Sequence, residues 1–331
     1  MKFKINILIF LFRFYSYSFS QYLNLKLILG VNNEKFTNFI RKHTDKANLR
    51  REYVKSTKVV LFSHLIHLIF FKGGKKLASN LVDHFCVATG QLDYWRNAVK
   101  SEKGLIIATP HYGSFLIGLL LLARLNGHGK EIHVFFDDPA NNPQNQKYID
   151  YISSLHEENL FPLTNTPRNI VKAIKLLKGG HILVMLPDVF TSDYFYVPFM
   201  GQYFKTMGGT AFFSSRANVN ILPTLCASVA KNKFIVDLGN PIPPVQLDID
   251  AQYRVKIQTM LMFKAFEKKM LVSPEPWYYW KTFSQFTSNS PVSKASSTSD
   301  LISTSFLKFL IKFNKPVAKK IVEHGYYLNN E

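Results

Sequence analysis

One histidine stands where acid–base chemistry is easiest to build. In Thr109-Pro110-His111-Tyr112-Gly113-Ser114-Phe115, His111 follows the apolar run Leu105-Ile106-Ile107-Ala108-Thr109. That run reads as a buried parallel strand closed by Pro110. The apolar stretch 115–125 behind it reads as a central helix. His111 therefore falls at the carboxyl end of a strand, where α/β sheets bind their ligands. An imidazole exchanges a proton near neutral pH, so general-base catalysis is the chemistry expected there. Gly113 lets a ligand come close to the backbone, and Tyr112, Gly113 and Ser114 are expected to contact the substrate. Other reactive types are scattered. His64 and His67 lie at i, i+3 in an apolar segment with no third ligand nearby. The ten histidines lack carboxylate or cysteine partners at ligand spacing, so neither a metal nor a cofactor is expected. Cys86 and Cys226 are the only cysteines, which excludes a disulfide framework; two reduced, buried thiols are expected.

Strands and helices in alternation would have to carry this histidine. Residues 132–136 read as a second strand, ending in Asp137-Asp138-Pro139. A helix is expected at 147–155 and a short strand at 161–163. Pro167 suits the first turn of a helix running to Leu177, which Gly179-Gly180 ends. Residues 181–186 form another buried strand, ending at Pro187-Asp188. Residues 210–217 read as a helix, and 221–225 and 234–238 as strands. This alternation predicts an α/β fold with a mixed, mostly parallel sheet covered by helices. Residues 34–100 read as helices.

The two ends have a different composition. Residues 5–25 are apolar but broken by Arg13, too interrupted for a clean span; they read as a membrane-associated helix, with a signal peptide or an ordinary buried helix as rivals. Residues 284–305 are rich in Ser and Thr and read as a flexible linker. Beyond it, Phe306, Leu310, Phe313 and Val317 share one helical face, flanked by Lys308, Lys312, Lys315 and Lys319. A basic amphipathic helix of this kind suits a membrane surface. The expected organisation is a membrane-associated helix at 1–29, one α/β domain at 30–285, a linker at 286–305 and a basic helix at 306–331.

The 331 residues carry 41 Lys and Arg against 22 Asp and Glu, a net charge of +19. Such a field favours an anionic partner: nucleic acid, an anionic membrane surface or a phosphorylated substrate. The aromatics are not interleaved with basic residues in an RNA-binding pattern and no helix-turn-helix signature is evident, so nucleic acid is not expected. A hydrophobic fraction of 47% excludes a wholly disordered chain.

Five blocks in register carry a resemblance. Residues 104–124 resemble a strand leading into a His-Phe-Gly-Asn-x-Glu motif. The stretch from Thr166-Pro167-Arg168 to Leu177-Lys178-Gly179-Gly180 resembles the helix before the second central strand of the same family. Val184-Met185-Leu186-Pro187-Asp188 resembles a strand ending Pro-Asp-Gln. Tyr196-Val197-Pro198-Phe199-Met200-Gly201, with Thr206 and residues 211–216, resembles a Val-Pro-Phe-Phe-Gly block and its Thr-rich helix. Pro274-Glu275-Pro276-Trp277 resembles a Pro-Glu-x-Trp element. Over roughly residues 1–285 the chain resembles the bacterial lysophospholipid acyltransferase superfamily, in its lipid A late-acyltransferase (lauroyl/myristoyl-type) branch.

That resemblance implies a glycerolphosphate-acyltransferase-like single domain at the cytoplasmic face of a bacterial inner membrane. It implies transfer of an acyl group from acyl carrier protein or acyl-CoA to a lipid or other small acceptor, with His111 as general base. The family places an acid five positions after this histidine, to orient it. Here that position is Leu116. The stretch 142–155 also lacks the family's arginine, and Val189 replaces the glutamine after Pro187-Asp188. Asp188 is the first choice for a substitute acid, with Asp137 and Asp138 behind it. An amine acceptor would need less help from a base than a hydroxyl. Lys205 and Arg216, flanking Thr206, and Arg168 at a helix start are candidates for a phosphate or phosphopantetheine arm. The alternative is a catalytically inactive relative that binds lipid or carrier protein.

Overall fold

The computed structural model describes residues 82–83, 86–127, 129–189, 194–200, 202–229 and 233–271, with Trp277 and Thr287–Ser288. The segments 1–29 and 306–331, the pair His64 and His67, and most of the 286–305 linker lie outside the described residues. No helix among those described is long and apolar enough to cross a membrane.

Seven strands form the central sheet: β1 (Cys86–Gly90), β2 (Leu105–Ala108), β3 (Ile132–Phe136), β4 (Leu160–Thr164), β5 (Ile182–Met185), β8 (Ile221–Val229) and β9 (Lys233–Leu238). Their order is β1-β9-β8-β2-β5-β3-β4. The five strands from β8 to β4 run parallel; β8 and β9 pair antiparallel, and β1 follows β9 in parallel. The fold is α/β with a mixed, mostly parallel sheet, and β2 lies at its centre. A second, three-stranded ribbon joins β6 (Phe195–Phe199), β7 (Gln202–Thr206) and β10 (Thr287–Ser288).

Strand periodicity divides the core in two. Leu105 and Ile107 of β2, with Ile182 and Val184 of β5, enter one apolar cluster. Ile106, Ala108 and Leu183, the alternate positions, enter the other. The first face is covered by α1 (Leu92–Lys100), α2 (Phe115–Asn126) and α3 (Gln146–Ser153), contributing Trp95, Leu120 and Ile152. The second is covered by α4 (Pro167–Lys178), α5 (Gly209–Ala217), α6 (Ala251–Met270) and the ribbon, contributing Leu177, Phe213, Phe263 and Phe204.

Local signals set several boundaries. Thr166 caps α4 by accepting from the Asn169 N–H at 3.3 Å, with Pro167 at its first turn and Gly179 closing it. Asp250 caps α6 by accepting from the Gln252 N–H at 2.8 Å. Gly127, at φ +59°, ends α2 in the left-handed region.

Two expectations are corrected. The upstream stretch is not helical throughout, because Cys86–Gly90 forms β1 at the sheet edge. Its pairing partner is β9, with Cys86 opposite Phe234. A five-residue strand whose partner is so distant in sequence leaves little local periodicity to read. Nor are both thiols buried. Both are free, but only Cys226 is buried, while Cys86 is half-buried. Burial pushes the Cys226 thiol up to about 12, against backbone hydrogen bonds from Gly118 and Ser114 that act the other way.

Candidate active site

β2 ends at Ala108, and the chain turns through Thr109 and Pro110 before α2 begins at Phe115. The Tyr112 N–H donates to the Pro110 carbonyl at 2.6 Å, and Gly113 adopts φ +58°. A residue with a Cβ is strained in that region, so glycine lets the chain turn directly into the helix. Tyr112 and Ser114 are buried and Gly113 lies inside with them, whereas the His111 side chain keeps 23% of its exposure. The loop thus presents one polar side chain outward.

The neighbouring strand supplies the partner. β5 is hydrogen-bonded to β2, and its chain continues through Leu186 and Pro187 to Asp188. Asp188 Oδ1 lies 2.8 Å from His111 Nδ1, and Oδ2 accepts the His111 backbone N–H at 2.8 Å. One carboxylate therefore grips both the backbone and the ring of the same histidine. Oδ2 also accepts the indole N–H of Trp277 at 3.0 Å. With Oδ2 taken by two fixed donors, Oδ1 accepts from Nδ1–H. The imidazole lone pair is then on Nε2. Asp188 is 1% exposed. A buried carboxylate needs such donors, because none of its lost hydration is otherwise replaced. The Phe115 ring meets the His111 ring edge-on, with centroids 5.5 Å apart.

The ribbon holds the Asp188 turn from behind. The Thr206 hydroxyl, fully buried at the end of β7, donates to the Pro187 carbonyl at 2.9 Å. Its hydroxyl is thus engaged by the turn. Lys205, one residue earlier, lies over the Tyr194 ring with its ammonium 3.5 Å from the centroid. Val189, next to Asp188 in the sequence, and Tyr194 are exposed.

The other expected residues lie apart from His111. Arg168 is exposed in the first turn of α4, after edge strand β4, which is three strand positions from β2, or about 14 Å. Arg216 is exposed in the last turn of α5, over the Phe212 ring at 5.5 Å. The chain then enters β8, and Asn220 accepts the Ile106 N–H, which puts Arg216 at the opposite end of the sheet from His111. Asp137 and Asp138 end β3, one strand beyond β5. There each accepts a backbone N–H of its own turn. Leu116 is buried in the core between α2 and the sheet. Among the described residues no group of three His, Cys, Asp or Glu could hold a metal ion. The sequence reading gave Trp277 no role. Its signal was general: a buried indole N–H usually finds an acceptor.

No curated relative matches the chain. The description of one family, bacterial lipid A biosynthesis acyltransferases, matches residues 23–282, a span that contains the sheet, His111, Asp188 and Trp277. The chain belongs to the family of bacterial lipid A biosynthesis acyltransferases.

Proposed function

We propose that this protein moves a fatty acyl group from a thioester donor, acyl carrier protein or acyl-CoA, to a lipid hydroxyl or amine. His111 is the general base and Asp188 the acid that orients it. The observation that carries this reading is the 2.8 Å contact between His111 Nδ1 and the buried Asp188 Oδ1. It restores, from a neighbouring strand, the partner that Leu116 fails to supply.

The acceptor oxygen or nitrogen attacks the thioester carbonyl carbon, and His111 Nε2 takes the acceptor's proton. Asp188 stabilises the imidazolium that forms, and it fixes the ring so that Nε2 faces the acceptor. The tetrahedral intermediate then collapses, the C–S bond breaks, and the leaving thiolate recovers the proton from Nε2. The half-exposed Phe115 ring and exposed Val189 flank the pair in sequence, and such surfaces suit an acyl chain. The donor and acceptor would be met at the cytoplasmic face of the inner membrane, where a +19 chain is drawn to anionic lipid.

The test is acyl transfer by the full chain in detergent, with both thioester donors and a panel of lipid hydroxyl and amine acceptors. The wild type should turn over at least one pair, and His111→Ala should lose about 10²–10⁴-fold. Leu116 favours a second reading, a non-catalytic lipid- or carrier-binding relative. Retained lipid binding with no turnover of any pair would select that reading.

A further inference from the structure

Asp188 is held by more than its histidine. Oδ2 accepts two N–H groups, one from the His111 backbone at 2.8 Å and one from the Trp277 indole at 3.0 Å. A carboxylate on a single bond can rotate. Two donors converging on one oxygen stop that rotation and leave the other oxygen on Nδ1. The indole is itself fixed. Trp277 is 1% exposed, with its ring packed edge-on to Phe199 at 5.4 Å and tilted against Phe204 at 5.6 Å. Its backbone pairs with Tyr112, the residue after the histidine. Trp277 thus binds the catalytic loop through its backbone and the Asp188 turn through its side chain.

At position 277 the fold aims the indole N–H at a carboxylate, where the hydrogen bond is charge-assisted.

We infer that Trp277 is a positioning residue: its indole N–H locks Asp188 so that Oδ1 stays on His111 Nδ1 throughout acyl transfer. This rests on the acyltransferase reading above. Among the described residues, the His111 imidazole and the Asp188 carboxylate are the titratable pair in contact here; α2 and position 277 present uncharged rings to them, Phe115 and the indole. Without the indole, Oδ2 keeps the backbone N–H of His111 as its donor among the described residues. The charge that the carboxylate no longer shares with the indole then pulls harder on the imidazole proton, so the ring stays charged to higher pH and less of it acts as base at neutral pH.

The experiment compares the full-length wild type with Trp277→Phe and with a chain carrying the benzothiophene analogue of tryptophan at 277. The analogue keeps both fused rings and lacks the N–H. Acyl transfer is followed against pH, with thermal denaturation of each chain and with His111→Ala and Asp188→Asn in parallel. The expected result is a kcat about 10- to 100-fold lower in both variants, with little change in KM. The acid limb of the profile should move to higher pH, so that raising the pH recovers part of the loss. The His111 imidazole, titrated by 15N NMR, should shift its midpoint upward in the same two chains. A pH profile and an imidazole midpoint that superpose on the wild type would overturn the inference, even with a lowered melting temperature. If His111→Ala turns over like the wild type, the base reading fails first. In that case the NMR midpoint still decides whether the indole acts on the pair.

Discussion

In the proposed dyad the acid reaches its histidine from the next strand, not from the helix that follows it, and this changes what single residues tolerate. Position 116 belongs to the apolar core under α2. A carboxylate placed there would be desolvated among leucines and isoleucines. Leu116→Asp, which writes the family's acid back into the chain, is therefore expected to cost about 3 kcal/mol or more of stability. It should also fail to restore turnover to Asp188→Asn. Chemical denaturation and acyl-transfer rates of the single and double variants check both parts. His111 itself was legible, because a strand, a proline and a glycine in sequence advertise a strand-end loop. The sequence already put Asp188 ahead of Asp137 and Asp138, and the strand order adds the geometric reason. Only β5, which carries Asp188, is bonded directly to β2; Asp137 and Asp138 follow β3, one strand further out. Of the basic candidates, Arg168 starts a helix and Arg216 ends one, so in a parallel sheet they fall at opposite ends, a distinction that charge alone does not carry.

At the scale of elements, the site is a joint between the sheet and the ribbon. β2 carries the histidine, β5 the carboxylate, and β7 the hydroxyl that holds the β5 turn. Thr206→Val keeps the side-chain shape but removes the donor to the buried Pro187 carbonyl. It should cost about 1–3 kcal/mol and lower kcat beyond what the stability loss explains, because the Asp188 turn loosens. A variant with wild-type kcat would show that the ribbon does not position the turn. Most of the sheet and its helices were readable from sequence, most plainly where punctuation is local: β2 before Pro110, β3 before Asp137-Asp138-Pro139, and α4 between Pro167 and Gly179. α6 escaped because its buried side carries Lys256, Gln258 and Thr259 among its apolar residues, which blurs the stripe. β1 and β10 escaped because they are short and pair with distant chain, whereas β6 and β7 pair with each other locally and were met in the sequence only as the Tyr196-Val197-Pro198-Phe199 block.

The whole molecule adds a pH dependence unconnected with catalysis. His133, on β3, is 4% exposed. Burial holds its imidazole below the ordinary value, outweighing the Glu131 carboxylate at 3.0 Å, which pulls it up; Lys172 and His181 act with burial. The folded chain thus keeps His133 neutral where the unfolded chain would protonate it. Stability from this residue is complete above the unfolded imidazole value of about 6.5 and is lost as pH falls below it. Melting temperatures taken from pH 7.5 down to 5.5 should decline, and His133→Phe should flatten that decline; parallel curves would contradict it. The central claim, that Asp188 replaces the acid absent at position 116, is tested most directly by acyl-transfer rates of wild-type and Asp188→Asn chains with the same donor and acceptor. The account predicts that kcat falls by about 10²–10⁴-fold with the fold retained. A variant that transfers acyl groups at the wild-type rate would contradict it.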